Sequence, residues 1–366
     1  MSADFNIQTI LIAPLDWGLG HATRCIPLIH NLQFLGYKVI IASDGPQEIL
    51  LKKEFPNLDF LRLPGYQIRY SRTKGWLPVK ILQQIPAIYL AVRAENRWLD
   101  DVIEQHKIDL VIADNRYGLW STKVPTVFIT HQLTIKAPYP WLEKLIKKVN
   151  YQYINRFTTC WVPDMEEGGG LAGVLSHPQQ KPNIPIAYLG LLTRFQRKEN
   201  PTKQGITVLL SGPEPQRSLL EEKIVDQAIG LQQPLTIVRG LPSSKEKLPL
   251  PSFIKQFNHL NATELEDLLA KSEIVIARSG YSSLMDLMLL QVKSILIPTP
   301  GQTEQEYLAK ILGEKNYALS ASQETFDLAK LIDQARSYDY KFPEVSLLNT
   351  ADLQQLIKTV SSQFEK

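Results

Sequence analysis

Two side chains that can perform acid–base chemistry follow short apolar segments in the first third of the chain. His21 lies within residues 14–24, after the apolar residues 9–13 and before a helical pattern. A histidine in the first turn of a helix is biased toward its neutral form, which a general base needs. Asp114 follows another apolar segment, and a carboxylate there can hold the Nδ1–H group of His21 and fix its tautomer. The residue types therefore predict that His21 is a catalytic base oriented by Asp114.

Glycines flank the predicted base. Gly18 and Gly20 lack a Cβ atom, so the backbone can turn tightly there and come close to a ligand. The start of a helix also offers N–H groups and a partial positive charge to an oxyanion or phosphate. His131 follows a further apolar segment, and we predict that Gly18, Gly20 and His131 bind the acceptor of the reaction. A structural role stays open for each residue, because glycines form turns, His21 can pack at a helix start, Asp114 can cap a helix and His131 can close a strand.

These residues need a scaffold that brings strand ends together, and the first half of the chain predicts one. Strand-like and helix-like patterns alternate along it. The apolar segments predicted as strands are residues 9–13, 39–42, 60–63, 110–113 and 127–130. Such alternation is typical of a parallel sheet with helices on both faces, in which ligands bind at the carboxyl ends of the strands. We therefore expect His21, Asp114 and His131 at one edge of a parallel sheet.

An insertion over residues 65–106 separates the third and fourth predicted strands. It begins with interleaved aromatic and basic residues and continues as a helix. The interleaved residues are Tyr66, Arg69, Tyr70, Arg72, Lys74 and Trp76. Such residues can grip a sugar or an anionic acceptor, and their aromatic rings can equally pin a solvated loop to its domain.

Residues 136–156 predict a basic amphipathic helix. Trp141, Leu145 and Val149 fall on one face, and several lysines lie beside them. A helix of this kind can lie on an anionic membrane surface, and a core-facing helix with a solvated lysine face has the same pattern. Both interpretations stay open, so we expect a cytoplasmic protein that can associate with the cytoplasmic face of a membrane.

Bulk properties limit the classes of function. The length of 366 residues suggests two domains, and the net charge of +3 does not by itself indicate a nucleic-acid partner. Cys25 and Cys160 are too far apart in the sequence for a metal-binding pair and too few for a disulfide framework. The apolar segments are too short for a signal peptide or a membrane span.

A break in the pattern divides the chain. Residues 166–185 are rich in glycine and proline, and residues 196–205 are polar and charged, which is typical of a linker. We therefore predict an N-terminal domain over residues 1–190 and a C-terminal domain over residues 191–345. A final helix within residues 346–366 is expected to pack back on the N-terminal domain.

The second domain repeats the arrangement of strand, glycine turn and helix. The turn after the predicted strand 274–277 contains Arg278, Ser279, Gly280 and Ser282. Hydroxyls, backbone N–H groups and a guanidinium together suit a phosphate. Asp286 lies one turn into the following helix, where its carboxylate can accept hydrogen bonds from ribose hydroxyls. The alternative is an ordinary capped helix with Asp286 on its surface.

Residues 277–310 resemble the donor-binding part of MurG-type transferases and, more broadly, of GT-B glycosyltransferases with a family 28 C-terminal domain. The matching motifs are Arg-Ser-Gly-Tyr-Ser-Ser, Asp286, Ile-Pro-Thr-Pro and Gln305-Glu306. The resemblance implies that the Gly/Ser turn holds a nucleotide diphosphate, that Asp286 holds the ribose and that Gln305 and Glu306 hold the donor sugar. Glu306 stands where the family has a second glutamine, so the resemblance does not fix which sugar is bound.

Loops elsewhere in the chain carry the same resemblance. Ser211 and Gly212 are similar to the family's first glycine turn in the C-terminal domain and are implied to bind the donor. Gly-Leu-Gly-His at residues 18–21 resembles the family's glycine loop, and Asp114 resembles the partner aspartate of related glucuronosyltransferase-type enzymes. The implied fold is GT-B, an α/β architecture of two Rossmann-like, doubly wound parallel-sheet domains that face each other across a cleft.

The resemblance implies an inverting glycosyltransferase. A sugar would move from a nucleotide-diphosphate sugar, expected to be UDP-linked, to a hydroxyl of a sugar or lipid-linked acceptor, with His21 as the base. No Asp-x-Asp motif stands out in the sequence, so we expect no metal ion and no other cofactor. Two alternatives stay open. Gly-Leu-Gly-His-Ala-Thr-Arg also resembles the loop of UDP-sugar hydrolases in nonulosonic acid synthesis, where water is the acceptor, and the fold can serve a non-catalytic nucleotide-sugar-binding protein.

Overall fold

The structure, a computed structural model, describes residues 7–16, 18–66, 77–199, 201–242 and 244–365, and only the backbone of residues 77–85. The chain divides into two compact units. Unit 1 contains the described residues up to position 66, Pro78–Thr193 and the segment that begins at Ser346. Unit 2 contains Arg194–Val345.

Unit 1 is built on a seven-stranded parallel sheet. Its strands are β1 (Thr9–Pro14), β2 (Lys38–Ser43), β3 (Asp59–Arg62), β4 (Leu110–Asp114), β5 (Thr126–Ile129), β6 (Thr159–Val162) and β7 (Ile186–Tyr188). They lie in the order β3-β2-β1-β4-β5-β6-β7. The helices that follow these strands are α1 (Leu19–Phe34), α2 (Gly45–Glu54), α3 (Leu77–His106) and α4 (Pro140–Ile154).

The central strands bring the predicted catalytic residues to one edge of this sheet. β1 and β4 are buried along their whole length, as is typical of parallel strands covered on both faces. Their register pairs Pro14 with Asp114, and Asp114 pairs in turn with Ile129 at the end of β5. The carboxyl ends of the three strands therefore lie side by side, close to the start of α1 and to His131.

Unit 2 contains a second parallel sheet, with six strands. They are β8 (Ile206–Leu209), β9 (Leu235–Val238), β10 (Ile254–Phe257), β11 (Ile274–Ala277), β12 (Lys293–Leu296) and β13 (Leu319–Ser320), in the order β10-β9-β8-β11-β12-β13. Its helices are α5 (Gln216–Leu231), α6 (Ala262–Lys271), α7 (Tyr281–Leu290), α8 (Thr303–Glu314) and α9 (Leu328–Ser337). Two parallel α/β sheets confirm the predicted fold class.

A last helix, α10 (Thr350–Phe364), belongs to unit 1 and packs against α1. The Thr350 hydroxyl donates to the Asn31 side-chain oxygen of α1 at 2.7 Å. Leu353, Ile357 and Val360 form the buried face of α10. The helix that carries His21 is therefore covered by the last helix of the chain.

The sequence patterns do not predict β6, β7, β10, β13, α6 or α9. Three of these strands, β7, β10 and β13, are sheet edges, where one side of the strand is open and an apolar pattern is not required. In β10 the polar residues Lys255 and Gln256 interrupt the apolar run. β7 directly follows the glycine- and proline-rich stretch and adds three residues to the sheet of unit 1.

Candidate active site

The loop between β1 and α1 has a conformation that favours glycine. Gly18 has φ +71°, in the left-handed region, immediately before α1 begins. The buried Gln47 side chain of α2 donates to the carbonyl oxygens of Asp16 at 2.8 Å and Gly18 at 3.1 Å. Gly20 lies inside the first turn of α1, beside His21. The loop is thus held by hydrogen bonds, and His21 takes a defined place at the sheet edge.

His21 and Asp114 are in hydrogen-bond contact. His21 Nδ1 lies 3.0 Å from Asp114 Oδ2. Asp114 is fully buried, whereas the His21 side chain is 15% exposed, so part of the imidazole can be reached from solvent. This is the arrangement that an oriented base requires, although the catalytic roles of both residues stay predictions.

A third residue, Arg24, joins this pair and was not predicted as part of the site. Its guanidinium binds the Asp114 carboxylate with two groups: Nε donates to Oδ2 at 2.9 Å, and Nη2 donates to Oδ1. Arg24 Nη2 also lies 2.8 Å from His21 Nδ1. The Arg24 side chain is 2% exposed, so the ion pair with Asp114 is buried. Residues 21, 24 and 114 therefore form one charged cluster, which we call the dyad–arginine cluster.

His131 lies behind this cluster. The residue is almost fully buried, and its Nδ1 lies 3.2 Å from Arg24 Nη1. Because a guanidinium can only donate hydrogen bonds, His131 Nδ1 accepts and the ring proton is on Nε2. The structure thus brings His131 to the predicted edge of the sheet, but on the inner side of Arg24. Its contact with an acceptor stays a prediction.

Burial and the neighbouring charges shift the protonation of the cluster. Burial alone would raise the pKa of Asp114, but Arg24 and His21 outweigh it and hold that pKa well below its usual range. Burial lowers the pKa of His21, and the charge of Arg24 lowers it further, while Asp114 opposes both. His21 is therefore neutral and Asp114 ionised at neutral pH.

In unit 2, the buried side chain of Arg278 connects loops at the strand ends by hydrogen bonds. Its guanidinium donates to the carbonyl oxygens of Ile297 at 3.1 Å, Pro298 at 3.2 Å and Gln216 at 2.6 Å. Burial lowers its pKa to about 10, and its Nε group has no hydrogen-bond partner among the described residues. The predicted donor residue Arg278 thus places a positive charge beneath the loops that follow β11 and β12.

Two further predicted donor residues form hydrogen bonds within unit 2. The Ser279 hydroxyl donates to the carbonyl oxygen of Gln305 at 2.8 Å. The Gln305 side chain accepts from the Thr299 N–H group at 2.9 Å and donates to the Gln302 side-chain oxygen at 2.6 Å. Both side chains are buried and connect the loop after β11 to the loop after β12.

The remaining predicted donor residues are at least partly open to solvent. They are Ser211, Gly212, Gly280, Ser282, Asp286 and Glu306. Gly280 precedes α7 directly, and a Cβ atom there would meet no other atom within 4 Å. Gly212 has φ +99°, which favours glycine. Glu306 accepts a hydrogen bond from the Gly301 N–H group at 2.8 Å, next to the open face of α8.

The chain is similar in sequence to known glycosyltransferases. Residues 229–351 match the model of the glycosyltransferase family 28 C-terminal domain. An uncharacterized glycosyltransferase of Methanosarcina acetivorans is 22% identical over 336 residues, which cover 86% of either chain. The UDP-N-acetylglucosamine–N-acetylmuramyl-(pentapeptide) pyrophosphoryl-undecaprenol N-acetylglucosamine transferase of Clostridium tetani is 23% identical over 346 residues, 90% of this chain and 89% of that one.

A solved structure extends the likeness to both units. The crystal structure of Acinetobacter baumannii MurG superimposes with a TM-score of 0.55 at 15% identity, covering 97% of this chain and all of that one. The chain has the GT-B fold, and its second half carries a glycosyltransferase family 28 C-terminal domain. The resemblance to MurG-type and family 28 enzymes, drawn from residues 277–310, is confirmed.

One feature of the sequence points to Arg24 as part of the dyad–arginine cluster. Arg24 follows His21 by three residues, which is one helical turn, so both side chains lie on the same face of α1. Nothing in the sequence shows that this face meets a buried carboxylate. That contact depends on β4, far along the chain.

The structure describes only part of the insertion between β3 and β4. Arg69, Tyr70, Arg72, Lys74 and Trp76 lie outside the described residues. The Tyr66 hydroxyl donates to Glu95 Oε2 at 2.6 Å, and Glu95 Oε1 accepts from Arg116 at 2.6 Å. Tyr66 therefore anchors the start of the insertion to the buried part of unit 1.

No three or more His, Cys, Asp or Glu side chains in the described ranges are grouped so that they could hold a metal ion. Within the described ranges, no helix has both the length and the apolar character that a bilayer span requires.

Proposed function

We propose that this glycosyltransferase moves a sugar from a nucleotide-diphosphate sugar, UDP-linked, to an acceptor hydroxyl with inversion, and that His21 is the base. The observation that carries the proposal is the 3.0 Å contact between His21 Nδ1 and the buried, ionised Asp114. That contact leaves Nε2 as the nitrogen that can take a proton. The name of the Clostridium tetani relative, a UDP-N-acetylglucosamine transferase acting on a lipid-linked acceptor, supports both the donor and the acceptor class.

Each of these residues has a role in the proposed reaction. His21 Nε2 removes the proton from the acceptor hydroxyl as its oxygen attacks the anomeric carbon, and the bond from that carbon to the diphosphate breaks on the opposite side. Asp114 stabilises the imidazolium that forms through Nδ1–H. Charge on the leaving diphosphate is taken up in unit 2 by the start of α7 at Gly280 and by the positive charge of Arg278. This route needs no divalent metal ion, and EDTA should leave the rate unchanged.

The proposal is tested by supplying candidate donors and following the nucleotide. A thermal-shift screen of UDP-, dTDP- and GDP-sugars should give its largest stabilisation with a UDP-sugar, since a ligand at about 100 times its Kd adds about 2.7 kcal/mol. UDP release that requires an added sugar or lipid-linked acceptor supports transfer. UDP release in buffer alone indicates that water is the acceptor. Stabilisation without turnover under either condition indicates a binding protein.

Asp286→Ala is expected to weaken UDP binding by about 10–150-fold, because a hydrogen bond to a charged carboxylate contributes about 1.5–3 kcal/mol. Asp286 lies on α7, one turn after Gly280, and is partly exposed. Isothermal titration with UDP measures the effect. Asp333→Ala, which changes an exposed carboxylate on α9, is the matched control and should bind UDP normally. Equal affinity in both variants would remove the ribose role from Asp286.

The exposed face of α4 supports a membrane partner for the same enzyme. Trp141, Leu145 and Val149 are 65%, 51% and 44% exposed, whereas Asn150 and Ile154 form the side of the helix that is buried. The apolar stripe predicted from the sequence therefore does not face the core. Because exposed lysines accompany it, we propose that α4 docks on an anionic membrane surface that carries a lipid-linked acceptor.

Charge reversal on α4 should weaken this docking. The double variant Lys144→Glu/Lys148→Glu is expected to bind anionic vesicles at least tenfold more weakly, since each lysine near such a surface contributes about 1 kcal/mol. Flotation with vesicles that contain phosphatidylglycerol at low salt gives the measurement. The control Lys52→Glu/Lys53→Glu makes the same charge change on exposed positions of α2. If both double variants float like the unmodified protein, α4 is not the docking surface.

A further inference from the structure

In the dyad–arginine cluster, two groups compete for hydrogen bonding to one atom, His21 Nδ1. His21 Nδ1 lies 3.0 Å from Asp114 Oδ2, which can only accept, and 2.8 Å from Arg24 Nη2, which can only donate. A single ring nitrogen cannot donate to the first and accept from the second at once. Arg24 and Asp114 therefore compete for His21 Nδ1, and they favour opposite states of the ring.

Protonation of His21 resolves this competition in one direction. An imidazolium carries hydrogen on both nitrogens, so Nδ1 can donate to Asp114 but can no longer accept from Arg24. The contact with Arg24 then becomes a repulsion between two cations at hydrogen-bond distance. Arg24 also binds both oxygens of Asp114, which reduces the negative charge that the imidazolium would meet.

The other groups that face His21 do not offset this effect. Arg24 and Cys25 approach from α1, Asp114 from β4 and His131 from the segment after β5. His131 Nδ1 accepts from Arg24, and burial raises the pKa of the Cys25 thiol, which stays uncharged. Besides burial, the pKa of His21 is therefore set mainly by one cation, Arg24, and one anion, Asp114, and His131 adds a smaller effect in the same direction as Arg24.

We propose that Arg24 is a positioning residue: Asp114 holds the Nδ1–H group of the neutral ring, and the charge of Arg24 disfavours a second proton on His21, so that Nε2 stays open for the proton of the acceptor hydroxyl. Asp114 and Arg24 have complementary effects. The carboxylate stabilises the imidazolium that His21 becomes during the reaction, and the positive charge of the guanidinium favours the release of that proton afterwards. This assignment rests on the proposed role of His21 as base, but it concerns a property of His21 that can be measured without turnover.

The direct test is a titration of His21 by NMR. The chain has six histidines, so 15N-histidine labelling gives a small spectrum, in which the His21→Ala variant identifies the His21 signals. Arg24→Gln is expected to raise the pH midpoint of His21 by about one unit, because a like charge within a few ångströms is removed. Arg24→Lys, which keeps the charge, should restore most of the original midpoint. Arg116→Lys, a change to a buried arginine of unit 1 that contacts Glu95 instead, should leave the midpoint unchanged.

A second comparison removes the dependence on one variant. If Arg24→Gln does not fold, Asp114→Asn is compared with the double variant Arg24→Gln/Asp114→Asn, which differ only in Arg24. The double variant should then show the higher midpoint for His21. Identical midpoints in either folded comparison would overturn the proposal.

Kinetics separates this inference from the proposed function. In Arg24→Gln the lost kcat should return as the pH is raised, since His21 becomes neutral again, whereas in His21→Ala it should not return at any pH. If His21→Ala is fully active while the NMR midpoint still depends on Arg24, His21 is not the base but the electrostatic role of Arg24 stands. If His21→Ala is inactive and the midpoint does not depend on Arg24, the base is kept and the role of Arg24 is rejected.

Discussion

His21→Ala is expected to lower kcat by about 10²–10⁴-fold while the affinity for the nucleotide sugar stays unchanged. The base acts on the acceptor hydroxyl, and the residues proposed to bind the donor belong to unit 2, which does not contain His21. The His21 side chain is partly exposed at the end of the sheet, so its removal should have little effect on the fold. Steady-state kinetics with saturating acceptor gives kcat, and titration with the donor gives its affinity.

The matched control for this variant lies on the same helix. His30→Ala changes a histidine of α1 that is 56% exposed and contacts Glu54 on α2, and it should keep full activity. Combining His21→Ala with Asp114→Asn should cost little more than His21→Ala alone, because groups that act as a unit are not additive. A folded His21→Ala protein that binds donor and turns over at the original rate would refute the assignment and turn attention to His131.

Asp114→Asn is expected to lower the free energy of unfolding by about 3–5 kcal/mol, because it leaves the Arg24 guanidinium buried without its counter-ion. Arg24 and Asp114 are 2% and 0% exposed, so solvent cannot replace the lost charge. Urea unfolding followed by circular dichroism measures the change. The double variant Arg24→Met/Asp114→Asn removes both charges and should recover much of the loss. The surface variant Glu104→Gln, which breaks an exposed pair with Lys123, should leave the free energy of unfolding nearly unchanged.

The stability effect at Asp114 has a defined dependence on pH. The pKa of this carboxyl is lowered in the folded protein, so its contribution is complete above the pKa of the unfolded chain, about 4. It is lost as the pH falls below that value and the folded carboxyl takes up its proton. The difference between the unmodified protein and Asp114→Asn should therefore be constant near neutral pH and shrink on acidification. A difference that grows toward acid pH would contradict a buried ion pair.

The sequence predicts the parts of the site whose causes are local. Consecutive residues give the apolar run of β1, the turn at Gly18 and the helical spacing of α1. The strand, turn and helix around His21 can therefore be predicted from them. Asp114 could be placed because it ends a strand of a parallel sheet, and such ends share one edge. The same reasoning places the turn after β11.

The sequence does not predict contacts between segments that are distant along the chain. Arg24 looks like an ordinary helical arginine until β4 brings Asp114 against it. Ser279 and Gln305 have the residue types of a ligand site, but their side chains connect two neighbouring loops, because the direction of a polar side chain depends on what lies beside it. The apolar stripe of α4 has the spacing of a core helix, and only the packed unit shows that it is exposed.

The covering of α1 by α10 has a consequence for the order in which the protein is made. Most of unit 2 is one continuous stretch of chain, Arg194–Val345, so this stretch can fold as soon as the ribosome has released it. The helix that carries His21 and Arg24 is synthesised near the beginning, yet the helix that packs on it is added after all of unit 2. During synthesis one side of α1, the helix that carries the predicted base, therefore stays uncovered until the residues that follow unit 2 have been released.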